Sequence, residues 1–155
     1  MIERVTFPSA TGDTAQGALA VPAGAGRAPA VILVHEWWGL TDQIEHTAER
    51  LAEAGFVALA VDLYRGFVTR DPAEAQRQMV ALPRERSLAD LRGAVAYLHD
   101  HDRATGKVAI TGFCMGGAYA VCARRKSMVR SQATRASSGL YTSGRCSFMK
   151  AWSAS

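Results

Sequence analysis

The last third of this 155-residue sequence is short of catalytic acids and bases: no Asp, Glu or His follows Asp102. All four histidines, His35, His46, His99 and His101, lie earlier. Any carboxylate or imidazole that the chain brings to a reaction therefore comes from its first 102 residues. Cysteine is scarce as well. Cys114, Cys122 and Cys146 have no metal-ligand spacing and form no even-numbered disulfide framework, so no metal and no cofactor is expected. On a continuous helix Cys114 and Cys122 would lie about 12 Å apart, too far for a disulfide. No apolar run approaches the roughly 18–20 residues that span a bilayer, which sets a membrane partner aside. No N-terminal leader pattern is present either, so a cytoplasmic protein is expected.

Charge is unevenly distributed. Residues 1–123 hold 11 Lys and Arg against 14 Asp and Glu, whereas residues 124–155 hold seven and none. The basic excess sits wholly in the last fifth. That tail is rich in Ser and Arg and lacks the apolar runs seen before it, a composition typical of disorder. The break falls inside a helical run, where no domain ends. The expectation is a frame shift near residue 124, so that the tail is not a selected sequence, with a non-catalytic truncated product as one alternative for the chain's function. The alternative is a functional basic arm that binds an anionic polymer. Its aromatics are only Tyr141, Phe148 and Trp152, with no nucleic-acid motif beside them, so no nucleic acid partner is expected.

Before the tail the pattern is regular. Ile2–Phe7 alternates apolar and polar residues, and Gln16–Val21 suits an antiparallel partner across a Gly12-Asp13 turn. Gly24–Pro29 reads as an exposed loop. Ala30–Val34 and Phe56–Val61 are uninterrupted apolar runs, suited to strands buried on both faces. Between them a helix starts at Thr41 or Asp42, with Glu45 completing a capping-box pattern, and stops at Gly55. Asp71-Pro72 opens a short helix. A longer one from Pro83 to His99 is expected to bury Leu88, Leu91, Val95 and Leu98. Strands alternating with helices predict a mostly parallel sheet with right-handed crossovers, an α/β fold.

The sharpest motif is Gly112-Phe113-Cys114-Met115-Gly116-Gly117, between the apolar run Val108–Thr111 and the helix-forming run Ala118–Ala123. Strand, tight turn and helix in that order resemble the nucleophile elbow of an α/β-hydrolase, with a thiol in place of serine. Gly112 and Gly116 suit a turn too crowded for side chains. The Cys114 sulfur would sit at a helix N-terminus, where N–H groups and the dipole favour negative charge. Glu36 ends an apolar strand on the edge where Cys114 emerges, a poor position for an ordinary solvated charge. The neighbouring side chain of His35 should point away from that of Glu36, which argues against His35 as the base. His46, His99 and His101 read as surface or capping residues.

His35-Glu36-Trp37-Trp38-Gly39-Leu40, Asp62-Leu63-Tyr64, Asp90-Leu91-Arg92 and the Gly112–Gly117 motif together resemble the dienelactone hydrolase family. The resemblance covers residues 1–123 and implies the α/β-hydrolase fold, cut after the elbow. It implies Cys-dependent hydrolysis of lactones or small carboxylic esters. Cys114 matches the nucleophile, and Glu36 the carboxylate that holds and activates the thiol. The backbone N–H groups of Trp37 and Met115 match the oxyanion hole. Arg77 lies where the family places an arginine for a substrate carboxylate, though a solvated helix face explains it too, and Trp38 would line the pocket. The family's Asp and His lie beyond the elbow and have no counterpart here, so little turnover is expected.

Overall fold

The computed structural model describes residues 2–123. The expectations for residues 124–155, Cys146 included, lie outside the described residues.

Five strands form one sheet: β1 (Ile2–Pro8), β2 (Thr14–Ala20), β3 (Ala28–Val34), β4 (Val57–Val61) and β5 (Ala104–Gly112). Their spatial order is β1-β2-β4-β3-β5. β1 and β2 form an antiparallel hairpin, and β2 lies antiparallel to β4. β4, β3 and β5 are mutually parallel, so their C-terminal ends open onto one edge. In parallel α/β sheets that edge is where reactive groups collect.

Helices cover both faces. α1 (Asp42–Glu53) follows β3, α2 (Pro72–Ala81) and α3 (Arg84–Asp100) follow β4, and a helix over 115–123, here α4, follows β5. Strand alternation explains how the core divides in two. Leu33, Ala58 and Ala60 face α1 together with Ile44, Ala48 and Ala52. Ile32, Val34, Leu59 and Val61 point the other way, toward Leu88, Leu91, Leu98 and Tyr119. Successive residues of a strand alternate faces, so runs without polar residues are what such a central position requires.

Several boundaries and contacts differ from the sequence expectation. β3 begins at Ala28 rather than Ala30, taking in Pro29. The register shifts between Ala28 and Ala30, and a bulge is where a strand accepts a proline that lacks an N–H. The capping box of α1 does not form. Thr41 is the N-cap but makes no side-chain cap bond, and the Glu45 carboxylate instead pairs with Arg4 of β1. In α3, Val95 is 43% exposed, and Ala94 takes the buried position expected for it. Gly93 explains this turn of the helix: a Cβ there would run into the Pro8 carbonyl, so Gly93 and Ala94 mark the face pressed onto β1. α2 starts as expected, with the Asp71 carboxylate accepting from Ala73 N–H at 2.7 Å and Glu74 N–H at 3.1 Å.

Candidate active site

The turn from β5 into α4 is built by close backbone packing. A Cβ on Gly112 would lie 2.5 Å from the Gly116 carbonyl carbon and 2.9 Å from the Val34 oxygen. One on Gly116 would strike the carbonyl oxygens of Val34 and His35. Both positions thus exclude a side chain because the elbow rests on the end of β3. Phe113 N–H donates to the Val34 carbonyl at 3.4 Å, Gly116 N–H to Phe113 at 2.8 Å and Gly117 N–H to Cys114 at 3.1 Å. Within this turn Cys114 takes φ +50°, a region that non-glycine residues seldom enter and that recurs at functional sites. Its side chain is exposed and its thiol free, whereas Cys122, two turns along α4, is buried.

Glu36 lies beyond the neighbouring strand. Val34 and Gly112 are paired across β3 and β5, so Glu36 and Cys114 each stand two residues past a matched pair. Glu36 and the following Trp37 and Trp38 are half-buried. The two indoles meet edge to face, with centroids 4.9 Å apart, and the Trp38 carbonyl accepts from Thr69 N–H at 3.1 Å. Met115 is buried as the first residue of α4, so its N–H is among those for which a helix offers no internal acceptor. Arg77 is exposed on α2, and no described contact links it to the elbow.

His35 is fully buried and fully used. Its Nδ1–H donates to the Glu36 carbonyl at 2.5 Å, which leaves Nε2 to accept from Leu63 N–H at 3.1 Å. That pairing fixes the neutral tautomer. Burial lowers its pKa, outweighing the opposing effects of the Glu36 carbonyl and of Asp62, 4.0 Å away. His35 therefore ties the end of β3 to that of β4 and has no free nitrogen for proton transfer. His46 is exposed on α1 near Glu49, and His99 is exposed beside Asp100. His101 Nδ1 accepts from Arg103 N–H at 3.1 Å. Asp62 is equally occupied: Tyr64 N–H reaches it at 3.0 Å, Gln16 Nε2 at 2.8 Å and Gly66 N–H at 2.6 Å. Among the described residues no group of three or more His, Cys, Asp or Glu is arranged to hold a metal ion. Nor is any described helix long and apolar enough to cross a membrane.

One residue at this edge escaped the sequence reading as a site group. Tyr64 is buried, and its hydroxyl lies 3.5 Å from the Met115 thioether, beside the elbow. The Asp62-Leu63-Tyr64 motif marked its position, but a tyrosine after a buried strand reads as packing until its neighbour is known.

Given this geometry, the chain can be compared with known proteins. The sequence pattern of the dienelactone hydrolase family matches residues 15–137. The chain belongs to the dienelactone hydrolase family. It is 36% identical over 123 residues to the "Probable 2-oxo-3-(5-oxofuran-2-ylidene)propanoate lactonase" of Bradyrhizobium sp, covering 77% of this chain and 50% of that protein. It is 28% identical over 138 residues to the carboxymethylenebutenolidase of Pseudomonas putida, covering 83% of this chain and 58% of that one. Among solved structures, the protein m3DLH superposes with a TM-score of 0.71 at 27% identity, over 81% of this chain and 54% of the other. The dienelactone hydrolase-like promiscuous phosphotriesterase P91 from metagenomic libraries gives 0.69 at 26% identity, with the same coverage. The chain spans about half the length of the relatives it matches. The fold is that of the family's α/β-hydrolases.

Proposed function

We propose that this chain carries the nucleophile half of a cysteine-dependent hydrolase acting on lactones or other small carboxylic esters. The observation that supports it most is the φ of +50° at Cys114 in a turn whose flanking glycines admit no side chain. Strain of this kind presents a side chain at the head of a helix, where negative charge is favoured. In this reading the Cys114 thiolate attacks the ester carbonyl carbon, and Glu36 holds the resting thiol and takes its proton. The N–H groups of Trp37 and Met115 meet the oxyanion that forms. Collapse of the tetrahedral adduct breaks the carbon–oxygen bond. It leaves a thioester on Cys114, and Glu36 returns its proton to the departing oxygen, which leaves as an alcohol or, in a lactone, as the freed end of the opened ring. Trp38 walls the pocket, and Arg77 faces a carboxylate on the substrate.

The second half of the cycle needs a base to activate water against the thioester. The sequence offers no Asp, Glu or His beyond Asp102, and His35 has both nitrogens engaged. Acylation without turnover is the expected behaviour of the 155-residue chain. The test is steady-state hydrolysis of a small activated ester and of a lactone, beside the Cys114→Ala variant. Hydrolysis near background in both agrees. Multiple turnover that vanishes with Cys114→Ala would mean that a base is supplied from elsewhere.

A further inference from the structure

The two edges of the sheet are defended unequally. β1 carries Glu3, Arg4 and Pro8, the charges and proline that discourage an exposed strand from pairing. β5 pairs with β3 on one side, and among the described residues no strand pairs with its other side. Its last five residues, Val108-Ala109-Ile110-Thr111-Gly112, contain neither charge nor proline. Phe113 N–H donates to the Val34 carbonyl, so by alternation the backbone groups of Ala109 and Thr111 also turn toward β3. Those of Val108, Ile110 and Gly112 therefore face outward. The Val108 and Ile110 side chains pack on the α3 side of the sheet, which leaves Lys107, Ala109 and Thr111 on the other face, where all three are exposed.

Residues 124–155 hold none of the apolar runs that make β3 and β4. A second copy of the chain, by contrast, presents a matching edge. We propose that β5 pairs antiparallel with β5 of a second copy, about a twofold axis at Ile110, joining two sheets into one. The register follows from the length of the free run. It is bounded by the bulge at Gly106, φ +79°, and by the elbow at Cys114, and the middle of Lys107 to Phe113 is Ile110. Ile110 then meets its copy through outward N–H and C=O groups, Val108 meets Gly112, and Ala109 meets Thr111. Charge fits this register too. Lys107 does not oppose its copy but meets Phe113, whose ring is 48% exposed and offers a π face to the ammonium group. An axis normal to the sheet keeps like faces together. It therefore brings the two α4 helices to one side, where each exposes Val121. Such a contact uses one patch twice and closes at two chains.

The experiment is sedimentation velocity of the full 155-residue chain under reducing conditions, over a range of concentration. The expected species has twice the chain mass of 16.6 kDa. Ala109→Lys with Thr111→Lys sets like charges opposite one another across the axis, and both positions are exposed in the single chain. That variant should sediment as a monomer with the native circular dichroism spectrum. Ala109→Lys with Thr111→Glu instead sets opposite charges across the same axis, twice, and should restore the dimer. A native chain that stays monomeric up to its solubility would overturn the proposal, as would assemblies larger than two. A dimer unaffected by the two lysines would place the contact on another surface. Failure of the lysine–glutamate variant to dimerise would contradict the register.

Discussion

Glu36 and Cys114 each lie two residues past the paired Val34 and Gly112, which end adjacent parallel strands. A carboxylate and a thiol thus leave the same sheet edge one strand apart. In the proposed reaction Glu36 takes the thiol proton, so Glu36→Gln should slow acylation of Cys114 by a small activated ester by about 10²-fold or more. An unchanged rate would mean that the two side chains do not share the crevice.

The elbow predicts its own sensitivity. Gly116→Ala forces a methyl group against the Val34 and His35 carbonyls, and backbone at the end of a central strand has little room to yield. The loss should be about 1–3 kcal/mol, read from urea unfolding, with the turn at Cys114 distorted. A variant as stable as the native chain would contradict the close packing of β3 on the elbow.

His35 predicts a pH dependence. Its folded-state pKa is lowered by burial, below the ordinary 6.5 that it regains on unfolding. Below that value the unfolded chain takes a proton which the native chain refuses, so stability falls as pH drops through about 6.5 and levels off below the native value. Protonation would also deprive Leu63 N–H of its acceptor. Unfolding free energies between pH 7.5 and 5 should slope more steeply for the native chain than for His35→Asn. Equal slopes would show that another group carries the effect.

Asp90 is fully buried in α3, and both of its carboxylate oxygens accept from the one Nη2 of Arg65, at 2.9 and 2.8 Å. Arg65 keeps 25% of its side chain in solvent, so stranding it is milder than stranding a fully buried ion. Asp90→Ala should lower stability by about 3 kcal/mol, the low end for breaking such a pair. Thermal melts of Asp90→Ala beside Arg65→Ala check this, and a loss well under 1 kcal/mol for both would contradict it.

Periodicity and motif made much of this fold legible. The buried strands β3 and β4, the Asp71 cap and the elbow glycines follow from residue type and spacing alone. The misses share a cause. Val95 and Ala94 differ by one helical position, and only the approach of Gly93 to Pro8 decides which of them faces inward. Glu45 satisfies a local capping pattern, yet Arg4, distant in sequence, takes its carboxylate. Tyr64 and Met115 are 51 residues apart, and no sequence pattern brings a phenol onto a thioether. Local spacing places residues on elements; contacts between elements need the packed chain.

The central claim is that Cys114 is an acyl acceptor made by the elbow. Its most direct test is the mass of the intact chain, followed by peptide mapping, after brief exposure to a small activated ester at neutral pH. The account predicts one acyl group, on Cys114, with Cys122 unmodified and no adduct of that kind in Cys114→Ala. An unmodified Cys114, or acyl groups spread equally over the cysteines, would contradict it.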